Sequence, residues 1–196
     1  LHPKHFTPDS TRLANYGLAS NTRYAVVRLV AWQAIHDRGL DGIGTPGLEE
    51  VVAQLRSMGY EKIVLSSDLE QSELPLGEVV HPNPEDLHHL LAFSSLCLSE
   101  SITVAGESAV LGIPTLLVNP LRAGHTLELE KYGLIERCQE LASALDRAPQ
   151  ISSDSTSIQR WSIAKDRLLH DKTDMTQALS DIIFGRLQAH SRKDAE

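Results

Sequence analysis

Residues 96–119, LCLSESITVAGESAVLGIPTLLVN, carry a strand, a polar turn, a short helix and a second strand in one stretch. Leu96, Cys97 and Leu98 form a short apolar run between polar residues, as expected of a strand buried in a parallel sheet. Ser99, Glu100 and Ser101 interrupt it. Residues 103–111 are small or helix-compatible, with Val104, Ser108 and Leu111 on one side, while Ala105 and Ala109 permit close approach to a sheet. Gly112 is a helix stop and Pro114 prevents resumption, so residues 115–118 read as the second strand. This is a compact βαβ unit with a right-handed crossover.

The polar turn of that unit is where a site is expected. The first amides of a helix lack intrahelical acceptors and carry the positive end of the macrodipole, which suits an anion such as a pyrophosphate. Ser101 and Thr103 add hydroxyls. Glu107 follows Thr103 by four residues, which places its carboxylate on the same face about 6 Å further along. Phosphates would then take the amides and the carboxylate would accept ribose hydroxyls. An ordinary capped helix, with Ser101 as N-cap and Glu107 solvated, fits the same residues.

With 196 residues, 41% of them hydrophobic, the chain has enough apolar surface for one full core with extensions. A net charge of −8 argues against a nucleic-acid surface, because phosphodiester backbones need a basic footprint. It does not oppose one small anionic ligand, nor peripheral membrane association of a longer protein. Cys97 in a strand and Cys138 in an expected helix lack metal or redox spacing and read as buried thiols of a reducing, cytoplasmic compartment. There is no long apolar run and no signal-peptide pattern. A start at Leu1 suggests an excised piece.

Around this unit the chain alternates strand and helix. Residues 1–20 read as a linker entering a short helix. His2 and His5 lack a carboxylate or cysteine partner at ligand spacing, so no metal is expected. Residues 24–30, YAVVRLV, are the first strand, and the loop after it holds Trp32, His36, Asp37 and Arg38. With Arg28 these would face the crevice beyond the strand ends, or simply pack and pair within the loop. Residues 48–58 show helical apolar spacing, 62–65 and 78–80 read as strands, and Pro84 opens a helix bearing His88 and His89. After Asn119 a loop carries Arg122 and His125, followed by a helix over 126–132, then Gly133 and a short strand or turn at 134–136. From Cys138 onward the pattern is helical, with Leu179, Ile182, Ile183 and Leu187 along the last helix.

The segment SESITVAGESAVLGIPTLLVN resembles the nucleotide-binding segment of the C-terminal domain in GT-B-type enzymes, particularly UDP-N-acetylglucosamine 2-epimerases, whose pattern is roughly T-D-S-G-G-x-x-E-E before Gly-x-Pro and a strand. HPKHFTPD, RLVAWQAIHDRG, PEDLHHLLAFSS and ELEKYGLIE, in that order over residues 1–137, resemble an uncharacterised glycosyltransferase-like (GT-B) family related to those epimerases. The resemblance implies that Ser101 meets the pyrophosphate and Glu107 holds the ribose of UDP, with Glu100 where the epimerases have aspartate. Ile102 and Thr103 stand at the two glycines.

The expected fold is therefore α/β, a Rossmann-like, mostly parallel sheet with helices on both faces and a helical C-terminal extension. Residues 21–150 would form the nucleotide-sugar-binding domain and 151–196 helices packed on it. Expected contacts to the nucleotide sugar are Ser101, Thr103, Glu107, Arg28, His36, Arg122 and His125, with no cofactor beyond a UDP-linked substrate. Catalytic groups would come from an N-terminal GT-B-like domain preceding Leu1. The alternatives are half of a UDP-N-acetylglucosamine 2-epimerase-like enzyme, or a non-catalytic assembly module of the same fold.

Overall fold

The computed structural model describes residues 1–32, 42–68, 79–154 and 156–193, with side chains to 185. Six parallel strands form one sheet in the order β3-β2-β1-β4-β5-β6. They are β1 (Tyr24–Leu29), β2 (Lys62–Ser67), β3 (Val79–Val80), β4 (Leu96–Ser99), β5 (Thr115–Val118) and β6 (Glu136–Cys138). The helices are α1 (Gly44–Ser57), α2 (Leu87–Ala92), α3 (Ile102–Leu111), α4 (Gly124–Lys131), α5 (Leu141–Ser153), α6 (Ser157–Asp171) and α7 (Met175–Lys193), with a 3-10 turn at Ser10–Tyr16. The chain winds outward from β1 to β3, then returns to place β4 beside β1 in the register Ala25 to Leu96 and Arg28 to Ser99. Winding reverses there, so the crevice at the carboxyl ends of β1 and β4 is the natural ligand site of such a sheet.

Burial on both faces explains the unbroken apolar runs of the central strands. On one side Ala25, Val27 and Leu29 pack with Leu48, Val51, Val52 and Leu55 of α1 and with Ala144, Leu145, Ala148 and Ile151 of α5. On the other, Tyr24 and Val26 meet Leu13, Leu90, Leu91, Cys97 and Val104. Tyr24 is buried, and its hydroxyl donates to the Leu90 carbonyl at 2.6 Å. Burial holds this phenol well above its ordinary pKa. Tyr24→Phe leaves that carbonyl unpaired, for an expected loss of about 1–2 kcal/mol in urea denaturation.

Most element boundaries differ from the sequence reading by one or two residues, and two differ by more or in kind. Helix α1 starts at Gly44 instead of 48, because Gly44 takes φ +62° and Pro46 falls in the first turn, where its lacking N–H breaks no intrahelical bond. Cys138 ends strand β6 and is not helical; the short strand or turn expected at 134–136 lies two residues later, because a three-residue edge strand carries too little periodicity to fix its bounds. The first 3-10 turn is tied into the domain by Tyr16, whose hydroxyl donates to the buried Asp86 carboxylate at 2.6 Å, and by Arg12, which pairs with the same group. Helix α6 joins the core through Trp161, whose indole N–H donates to the Leu134 carbonyl at 3.1 Å. On α7, Leu179, Ile182 and Ile183 are more than half exposed, and the Leu187 side chain lies outside the described residues. Among the described residues no helix is long and apolar enough to cross a membrane.

Candidate functional site

Helix α3 begins where β4 ends, at the reversal point of the sheet. Ser101 is its N-cap, with extended backbone and a side-chain oxygen that accepts from the Val104 amide at 3.3 Å. The Ser99 hydroxyl accepts from the Ser101 amide at 3.0 Å and donates to its carbonyl at 2.9 Å, so the turn is fixed before the helix starts. The amides of Ile102 and Thr103 precede any intrahelical acceptor, and both residues are partly or fully exposed. Gly112 closes the helix with φ +83°.

Glu100 occupies the turn itself and is the feature that motif reading undervalued. It is 2% exposed. One carboxylate oxygen accepts from the Val30 amide at 2.9 Å and the other from the Ile43 amide at 2.5 Å. Its carbonyl accepts from Asn119 Nδ2 at 2.7 Å. Burial raises its pKa, and the two amide donors only partly oppose this. Glu100 thus ties together the exit of β1, the entry of α1 and the end of β5. Trp32, at φ +49°, lies against it, and a Cβ on Gly42 would sit 2.4 Å from the indole. Both line a small crevice of about 220 Å³ with Glu100, which gives Trp32 a packing role there.

The expected nucleotide contacts divide between two hollows that flank α3. Thr103, Gly106 and Glu107 of α3 line a cavity of about 850 Å³ with His125 and Leu129 of α4, Leu168 of α6, Met175 of α7 and Lys172 from the link between those two helices. Glu107 pairs with His88 Nε2 at 3.2 Å, so a histidine on α2 aims the carboxylate. His89 is engaged elsewhere, its Nδ1 accepting from the Asp9 amide at 2.9 Å. His125 covers Gly106, within 3.5 Å of where a Cβ would be. Glu128, on the same wall, contacts Lys131 at 2.8 Å and Lys172 at 2.6 Å, which hold its pKa down to about 2.

Arg28 stands on the other side, in a crevice of about 340 Å³ at the ends of β1, β2 and β3, shared with Ser66, Asp68, His81 and Val104. Its guanidinium donates to Ser66 Oγ at 3.2 Å and to Asp68 at 2.5 Å, while Nε has no hydrogen-bond partner among the described residues. The structure therefore unites Thr103, Glu107 and His125, sets Arg28 across α3 from them, and leaves Ser101 between. Arg122 is exposed and lines none of these hollows. His36, with Asp37 and Arg38, lies outside the described residues. Sequence reasoning missed Ser66, Asp68 and His81, which come from other strand ends and are brought to Arg28 only by strand order.

No family model matches the chain, and no curated protein matches it. Among solved structures it is similar to a candidate UDP-N-acetylglucosamine 2-epimerase from Listeria monocytogenes, at 15% identity and TM-score 0.59 over 82% of this chain and 46% of that one. It is also similar to MnaA of S. aureus in a co-structure with UDP, at 15% identity and TM-score 0.55 over 82% and 46%. The glycosyltransferase VinC in complex with dTDP matches at 14% identity and TM-score 0.59 over 86% and 42%. The fold is the Rossmann-like α/β fold found in GT-B glycosyltransferases and UDP-N-acetylglucosamine 2-epimerases. The chain spans less than half the length of these solved chains.

Proposed function

We propose that this chain is the nucleotide-diphosphate-sugar-binding half, corresponding to the C-terminal domain, of a GT-B-like glycosyltransferase or 2-epimerase-like enzyme, with UDP as the carrier. The observation that carries the reading is the start of α3 at the sheet's reversal point, with two amides open and Glu107 one turn on in a cavity of about 850 Å³. The amides hold the diphosphate and stabilise it as leaving group, and Glu107, aimed by His88, accepts the ribose hydroxyls. The open amides and the positive end of the α3 macrodipole carry the phosphate charge, so no metal is needed for that task. Solved structures of the same fold hold UDP and dTDP, which supports a nucleotide as the ligand. The acceptor and the proton-transfer groups come from a preceding domain that closes the cleft. Two buried, unpaired cysteines, with Cys97 pushed up to about 12 by burial, fit a reducing cytoplasm.

Calorimetry with UDP tests the site. A hydrogen bond to a charged group contributes roughly 1.5–3 kcal/mol, so Glu107→Ala weakens UDP binding by about tenfold to over a hundredfold. Equal affinity in the two proteins would remove Glu107 from the site. The exposed Leu179, Ile182 and Ile183 of α7 favour a second reading, an assembly module that has lost nucleotide binding. A thermal-shift panel separates the two, because a nucleotide at a hundred times its Kd adds about 2.7 kcal/mol. A flat response to every nucleotide selects the assembly module.

A further inference from the structure

His2 and His5 gain in the folded chain the carboxylate that their sequence neighbourhood lacks. Asp174, just ahead of α7, reaches His5 with 2.9 Å between Oδ2 and Nε2, and one ligand atom from each of His2, His5 and Asp174 lies within 4.8 Å of the others. The two imidazole rings are 5.8 Å apart and inclined at 49°. A tetrahedral zinc ion with bonds near 2.0–2.1 Å spaces its ligands by roughly 3.4 Å, so closing the triad needs side-chain shifts of about 1 Å.

Asp174 is held as an outer shell would hold a ligand. Its side chain is 9% exposed, and Oδ1 accepts from the Thr176 and Gln177 amides at 3.0 and 3.3 Å, which caps α7 and turns Oδ2 to the histidines. His5 is 41% exposed, which leaves a route for an ion and room for water to complete the coordination. His2 Nδ1 accepts from the Lys4 amide at 3.2 Å, a long bond that costs little to release.

We propose that His2, His5 and Asp174 bind a divalent transition-metal ion of the borderline class that imidazole and carboxylate favour, with zinc as its representative. Two neutral imidazoles and one carboxylate leave the complex with a net positive charge, completed by water or hydroxide. Its role is a tie: it joins the segment before the first 3-10 turn to the start of α7. Leu1, Thr173 and Met175, which flank the ligands in sequence, line the cavity beside α3, so loading stiffens that wall. This tie is independent of the nucleotide reading.

Zinc titration of the whole chain by calorimetry, with thermal melts, tests it. Wild type takes up one zinc at this site and melts higher with it. Asp174→Asn keeps a capping oxygen for α7, so its zinc-free melting point stays near wild type, while zinc affinity falls by at least the roughly tenfold that even an outer-shell loss produces. His5→Gln falls similarly, and the double variant falls little further because both residues serve one ion. If wild type and Asp174→Asn bind zinc equally, the metal sits elsewhere among the histidines or the chain start and the proposal fails. If wild type shows no zinc-dependent melting shift, the triad is an ion pair and helix cap only, and the proposal also fails.

Discussion

Glu100→Ala lowers stability by about 2–4 kcal/mol, the expected result of removing the buried carboxylate that accepts from two partly buried backbone amides. For a chain of this length that is roughly 5–15 °C in Tm. The amides are those of Val30 and Ile43, from two separate connections, and both end on this one carboxylate. Glu100→Gln retains one acceptor oxygen and costs less, because it also removes a charge that burial disfavours. The pH dependence separates the two effects. A carboxyl whose folded pKa is raised contributes stability that is fully present below its unfolded pKa and is lost as pH rises through the folded value. The wild-type chain therefore gains on Glu100→Gln as pH falls from neutrality toward the ordinary glutamate range, and the gap narrows on the alkaline side. Urea melts of both proteins at pH 5 and pH 7 measure it, and a gap that does not change with pH would refute the burial argument.

The central βαβ unit was legible to within one residue because its signals are local. Three apolar residues, a serine cap, Gly112 and Pro114 each act within one turn of the chain, and the observed bounds of β4, α3 and β5 follow them. That Thr103 and Glu107 share one face of α3 was legible for the same reason, since four-residue spacing on a helix needs no tertiary knowledge. What failed to show in the sequence depends on topology. Glu100 reads as a polar turn residue, and its two amide partners lie 70 and 57 positions away. Asp174 meets His5 across 169 positions, which no ligand-spacing rule anticipates. Arg28 was legible as an ion-pair residue, yet only strand order brings Ser66, Asp68 and His81 around it. Cys138 was misplaced because a three-residue edge strand carries too little pattern to compete with the helical run that follows.

Arg137 is a further such topological residue, and its loss should act on both stability and binding. It sits on β6 with a side chain only 9% exposed. Its guanidinium donates to the carbonyls of Asn119 at 2.8 Å and Leu121 at 2.5 Å, to Thr126 Oγ1 at 2.8 Å and to Glu130 at 2.8 Å. These acceptors span the connection from β5 into α4, the one that carries Arg122 and His125. Arg137→Met fills much of the volume but leaves the carbonyls and Glu130 without a donor. Removing one partner of a fully buried ion pair costs about 3–5 kcal/mol, and with Glu130 partly exposed the expected loss is about 2–4 kcal/mol. Arg137→Lys recovers little, because an ammonium cannot reproduce the planar fork that reaches four acceptors at once. Amide exchange should quicken over residues 119–126, since their carbonyls lose the anchor that orders the loop. UDP affinity then falls as His125 leaves the cavity wall, though by less than in Glu107→Ala. Faster exchange in this loop with unchanged UDP affinity would mean that the β5–α4 connection is scaffold and that His125 does not touch the nucleotide.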